Sequence, residues 1–99
     1  MDDVAKMKVL VCDDEALARM RLKRLVEMAH MEVTGEAASG REAVECAGRT
    51  RPDVLLMDIR MPDMDGLEAA GHLQKMEHPP AVIFCTAYDE HALQAVRVH

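Results

Sequence analysis

Aromatic side chains are almost missing from this chain. Phe84 and Tyr88 are the two, 2% of 99 residues, and there is no tryptophan. Without rings there is no platform on which unpaired bases could stack. Positive charge is also in deficit: 12 Lys and Arg stand against 18 Asp and Glu, a formal net charge of −6. Nucleic-acid backbones are held by basic faces that release counterions, so this domain is not expected to contact nucleic acid itself. No apolar run approaches the roughly 20 residues that cross a bilayer. Met1 to Lys8 opens with acids and lacks the basic-then-apolar layout of a signal peptide. The expectations are no membrane association and a cytoplasmic location. Cysteine is sparse: Cys12, Cys46 and Cys85 form no C-x-x-C pair, and their odd number speaks against a disulfide framework or a zinc site. Free thiols in a reducing compartment fit better. His30, His72, His78, His91 and His99 are dispersed without metal-ligand spacing.

What is present is ordinary globular material, 49% hydrophobic and 30% charged. At this length roughly 60–65% of the unfolded surface can be buried, enough for one core. No linker or low-complexity tract interrupts the chain, so residues 1–99 read as one domain. One pattern recurs four times. Met7–Cys12 is a short apolar run suited to a strand buried on both faces. A helix follows from Ala16 to about Ala29, with Ala18, Leu22, Leu25, Val26 and Ala29 on one stripe. Met31–Ala38 alternates more and reads as an edge strand. Ser39 and Glu42 form a capping box opening a helix to about Gly48. Val54–Met57 is the third strand. Gly66–Met76 is the third helix, with Leu67, Ala70 and Leu73 on one side and Pro79-Pro80 beyond it. Ala81–Cys85 is the fourth strand, and Asp89–Val96 starts a fourth helix. Such alternation predicts a parallel sheet with helices on both faces.

Ligands of open α/β sheets sit beyond the carboxyl ends of the strands. Strand one is followed there by Asp13-Asp14-Glu15, strand three by Asp58 and strand four by Thr86. Taken singly, the acids read as a solvated turn or a helix N-cap as readily as a functional site. Together they are harder to explain as surface decoration. Three carboxylates within a few Å repel by on the order of several kcal/mol per pair at an intermediate dielectric. Such a cluster calls for a cation or for shifted protonation. Hard oxygen donors at a wet edge suit Mg²⁺.

Three segments carry a resemblance: MKVLVCDDEALARMRLKRLVE, PDVLLMDIRMPDMDGLEA and AVIFCTAYDEHAL. In this order, at matching strand ends over about residues 7–97, the chain resembles the receiver domain of two-component response regulators. Its closest likeness is to the LytTR-type branch, which couples a receiver to a DNA-binding domain. The resemblance implies a flavodoxin-like (CheY-like) doubly wound parallel sheet with order 2-1-3-4-5. It makes Asp58 the acceptor of a phosphoryl group from a partner histidine kinase. Asp14 would ligate Mg²⁺ directly, Asp13 would act through metal-bound water, and the Arg60 backbone carbonyl would complete the protein ligands. Thr86 would donate its hydroxyl to the phosphoryl group and move with it, Met61-Pro62 would set the loop, and Asp65 would cap helix three. The chain is then not an enzyme proper but a phospho-acceptor that assists its own chemistry.

The departure from the family is the absence of a fifth strand and helix, leaving order 2-1-3-4 and no lysine after Lys75. The expected consequence is an exposed edge on strand four, through which two copies would form a homodimer. Other readings fare worse. Asp63-x-Asp65-Gly66 hints at a calcium loop, but Met61 and His72 occupy the positions that need Asp and Glu. A phosphatase with an aspartyl nucleophile needs a second aspartate two residues on, where Asp13 has Glu15 and Asp14 has Ala16. A receiver-like interaction module that never sees phosphate is the remaining alternative. The nine methionines read as core filler. The basic run Arg19–Arg24 reads as a solvated helix face or a kinase-docking surface.

Overall fold

Among the described residues each apolar run becomes a strand and each helical stripe a covering helix. A computed structural model describes residues 6–85. In chain order the elements are β1 (Lys8–Cys12), α1 (Ala16–Met28), β2 (Glu32–Ala37), α2 (Gly40–Thr50), β3 (Val54–Met57), α3 (Gly66–Leu73) and β4 (Ala81–Phe84). The strands form one parallel sheet in the order β2-β1-β3-β4, as the sequence predicts. The expected fourth helix, Asp89–Val96, lies outside the described residues.

Period-two alternation sorts the strand side chains into two layers. Leu10, Cys12, Leu55 and Met57 point to the face covered by α2 and α3, where they meet Ala43, Cys46, Ala47, Ala69 and Leu73. Val9 and Val11 point to the other face and meet Val26 of α1, with Leu22, Val33, Val54 and Leu56 packed around them. The first layer holds most of the core. Among the described residues β4 is an outer strand, and its Ile83 is 50% exposed.

Two helix faces differ from their predicted phase. On α1 the buried side runs through Val26 and half-buried Leu22, whereas Leu25 and Ala29 face solvent. Leu17, Met20 and Met28 are also exposed, so apolar residues occupy both sides of this helix and its stripe is ambiguous from sequence. On α3, Gly66, Ala69 and Leu73 are buried while Leu67 is exposed. That helix also ends at Leu73 rather than Met76, and α2 runs on past Gly48 to Thr50.

The caps follow the sequence closely. Ser39 Oγ accepts the Glu42 N–H at 3.1 Å. Glu42 reaches back one residue further than a capping box requires and accepts the Ala38 N–H at 2.8 Å. Ser39 is itself buried, so its loss leaves a donor with no replacement partner. Replacing Ser39 with alanine is expected to cost about 1 kcal/mol. A fall in Tm of ~4–8 °C would register it. Asp65 caps α3 as predicted, accepting the Glu68 N–H at 2.8 Å.

Candidate functional site

Parallel pairing brings the ends of β1 and β3 to one edge, and the backbone holds them there. The Asp13 N–H donates to the Ala37 carbonyl at 3.0 Å, and the Asp58 N–H donates to the Cys12 carbonyl at 3.0 Å. The two acid-bearing turns are therefore extensions of the sheet ladder. One carboxylate oxygen from each of Asp13, Asp14 and Asp58 lies within 4.8 Å of the others. Asp13 is buried at 8% exposure, Asp58 is half-buried and Asp14 is open to solvent.

The helix-cap reading of the first two acids does not hold. Glu15 occupies the N-cap of α1 and makes no side-chain capping bond. Asp13 instead folds onto its own turn, its Oδ1 accepting the Glu15 N–H at 2.9 Å. Burial raises the Asp13 carboxyl above the usual carboxylate range, the Glu15 N–H opposes that, and the Asp14 charge adds to it. Asp58 is also raised, by burial first, against the Arg60 N–H and with the charges of Asp13 and Asp14. Both shifts describe negative charge crowded where solvent only partly reaches. The donor set is all hard oxygen with like charges in contact, which is what a divalent cation such as Mg²⁺ suits.

The loop from Asp58 to α3 is pinned at several points. The Arg60 N–H donates to Asp58 Oδ1 at 3.3 Å. Met61 is buried in the core, and the Gly66 N–H donates to the Ile59 carbonyl at 2.6 Å. Arg60 is thereby fixed two residues past the central acid, the position from which its carbonyl was expected to act. Asp63 takes a left-handed φ of 67°, and Asp65 serves α3, so neither joins a calcium loop. Thr86 lies outside the described residues.

One residue beside the site escaped the sequence reading. Arg19, assigned there to a solvated basic face, is 19% exposed and turns inward. Its Nη1 donates to the Asp13 carbonyl oxygen at 2.7 Å, and its Nε donates to Glu36 Oε1 at 2.9 Å. Lys23 Nζ reaches the other Glu36 oxygen at 2.8 Å. Those two cations hold the Glu36 carboxyl below its ordinary range. The signal was available: Arg19 precedes Leu22 by three residues and Val26 by seven, the spacing of the buried face.

Cys12, Cys46 and Cys85 are free, as predicted. Burial pushes the Cys12 thiol up to about 12, which makes it an inert core residue. Cys85 is half-buried beside the acids, raised by burial and then by the charges of Asp58 and Asp13.

Residues 9–99 match the family model of the response regulator receiver domain. The chain is a receiver domain of the two-component response regulators. It is 50% identical over 94 residues to the positive alginate biosynthesis regulatory protein of Pseudomonas aeruginosa, covering 93% of this chain and 38% of that protein. It is 48% identical over 93 residues to the sensory transduction protein LytT of Bacillus cereus, with the same two coverages. The LytTR-type branch read from the sequence is thus the right one. This receiver chain spans well under half the length of these relatives. The response regulator domain of Thermotoga maritima CheB superposes with a TM-score of 0.78 at 39% identity, over 94% of this chain and 75% of that one. Receiver domains are in general signalling domains rather than enzymes. Among the described residues of this receiver, no helix is long and apolar enough to cross a membrane.

Proposed function

We propose that this receiver accepts a phosphoryl group from a histidine kinase onto Asp58, with Mg²⁺ held by Asp14, Asp58 and the Arg60 carbonyl, and by Asp13 through water. The observation that carries the proposal is the convergence of three carboxylates within 4.8 Å at the ends of two adjacent parallel strands. When bound, the cation neutralises the acids and the charge that develops on the transferring group. The chain's own part is positional. An Asp58 oxygen attacks phosphorus, the bond from phosphorus to the donor nitrogen breaks, and its electron pair stays with the leaving imidazole. The Ala37 carbonyl and its own turn fix Asp13, so that acid would be in place for a cation. Thr86 donates its hydroxyl to the new phosphoryl group and moves toward it. The added charge of roughly −1.5 to −2 biases the switch. The output passes to a DNA-binding domain of the LytTR kind, and two copies associate along β4.

Acetyl phosphate with Mg²⁺, followed by intact mass, tests the chemistry. The expected result is one phosphoryl adduct in the wild type and none in Asp58→Asn. A wild-type protein that stays unmodified, in the full-length regulator as well as in this chain, overturns the proposal in favour of an interaction module. Light scattering tests the association, and a monomer mass independent of concentration removes that part.

A further inference from the structure

We propose that Arg19 is a positioning residue for the acid cluster: its guanidinium clamps the main chain of Asp13 to β2 and so sets the geometry in which the carboxylates receive a divalent cation. The inference rests on the cation site proposed above and adds a residue to it from a different element, α1.

The residue after β1 has both of its main-chain polar groups tied to the same neighbouring strand. Its N–H is held directly, by the carbonyl of Ala37. Its carbonyl is held indirectly: Arg19 donates to it from Nη1 and rests through Nε on Glu36, the residue next to Ala37. The path from β2 through Arg19 to Asp13 is a planar fork with two separate acceptors. That geometry is available to a guanidinium and not to an ammonium. Glu36 is committed as well, because Lys23 occupies its second oxygen and leaves the first for Arg19. The pair is only partly exposed on the arginine side, so its worth lies in orientation rather than in a surface ion pair.

A charge argument points the same way. Arg19 brings a cation next to Asp13 without touching its carboxylate oxygens, one of which accepts the Glu15 N–H. It offsets repulsion in the cluster while leaving the carboxylate's remaining acceptor capacity for a water on the cation. Magnesium demands near-ideal octahedral placement of its ligands, so a tilt of the turn that carries Asp14, the proposed direct ligand, is felt as lost affinity. Losing the fork releases the Asp13 carbonyl and leaves the Asp13–Glu15 turn held at its ends alone, by Ala37 at the Asp13 N–H and by the Arg19 N–H at the Glu15 carbonyl.

Calorimetric titration of the metal-free chain with Mg²⁺ reads this directly. Arg19→Gln is expected to weaken Mg²⁺ binding about tenfold. Arg19→Lys, which keeps the charge and the Glu36 partner, should recover less than half of that loss on a logarithmic scale. Glu36→Gln should weaken binding about threefold alone and add nothing in the Arg19→Gln background. Amide chemical shifts of Asp13 to Glu15 without metal supply a second readout, and should move in Arg19→Gln. Titrations run well below each variant's Tm keep affinity separate from folding. Asp13→Asn separates the two proposals. If it weakens Mg²⁺ binding while Arg19→Gln does not, this inference fails and the site stands. If Asp13→Asn leaves binding unchanged, the site itself fails. Full recovery by Arg19→Lys would reduce the role to charge alone and overturn the clamp.

Discussion

The Asp58→Asn variant is expected to be more stable than the wild type when no metal is present, although it loses the proposed acceptor. Asp58 sits half-buried within 4.8 Å of two other carboxylates and is raised by burial and by their charges. The sign follows from linkage. A carboxyl whose pKa is higher in the folded state binds its proton more tightly there, so the fold gains on acidification. Above the folded value the ionised group opposes folding, and that penalty is fully present at neutral pH. Below the ordinary value of 3.8 both states are protonated and the penalty is gone. Asparagine keeps the shape and removes the charge at every pH. Unit charges about 4 Å apart repel by about 1 kcal/mol in water and by more where solvent is excluded. A rise in Tm of ~4–8 °C at pH 7 is therefore expected, shrinking as the pH falls toward 4. Added Mg²⁺ should raise the Tm of the wild type more than that of Asp58→Asn, because only the wild type offers the full donor set. Equal Tm values at pH 7 without metal would show that the acids do not repel in the folded chain.

The second large effect belongs to glycine, and its sign depends on position. Gly40 and Gly66 both have ordinary negative φ, so the left-handed freedom of glycine is not what they supply. They supply the missing β-carbon. At Gly40 that carbon would fall inside the Met64 carbonyl group, and at Gly66 inside the Asp58 carbonyl. The obstacle in both cases is backbone, which cannot swing aside like a side chain. Gly40→Ala or Gly66→Ala must displace the loop that carries Arg60, at a cost of roughly 1–3 kcal/mol or more. Gly48 in α2 and Gly71 in α3 are controls, since nothing lies within 4 Å of a β-carbon there. Alanine at either should stabilise by roughly 0.5–1 kcal/mol through helix propensity. Urea denaturation of the four variants tests the contrast. A loss at Gly48 or a gain at Gly40 would contradict the packing described for this loop.

Much of this was legible in the sequence because the strands are short apolar runs, and β1 is buried on both faces. VLVC and VLLM admit few alternatives between their charged borders, so the strand ends, and with them Asp13, Asp14 and Asp58, could be placed. The caps were legible because Ser39 and Asp65 act on neighbours three residues away. Helix phase was harder. Leu17, Met20, Leu25 and Met28 put apolar side chains on the solvent side of α1, and periodicity alone cannot then choose the inner face. The same ambiguity hid Arg19 in a run of basic residues. The close approaches at Gly40 and Gly66 involve residues brought together by tertiary folding, which no local pattern encodes.

The three carboxylates hang from β1 and β3, the two strands that have partners on both sides among those described. Local fraying at β4 exposes backbone amides without pulling these two strands apart, whereas fraying at β2 also loosens the anchors of Asp13. Only global opening separates Asp13 from Asp58. Hydrogen exchange should therefore split into two classes. Bound Mg²⁺ slows the amides of β1 and β3, which exchange through global unfolding, and leaves the β4 edge amides that exchange by fraying near their metal-free rates. The site is thereby insulated from the motions of β4 but coupled to those of β2, which holds the Asp13 N–H through Ala37 and its carbonyl through Glu36 and Arg19.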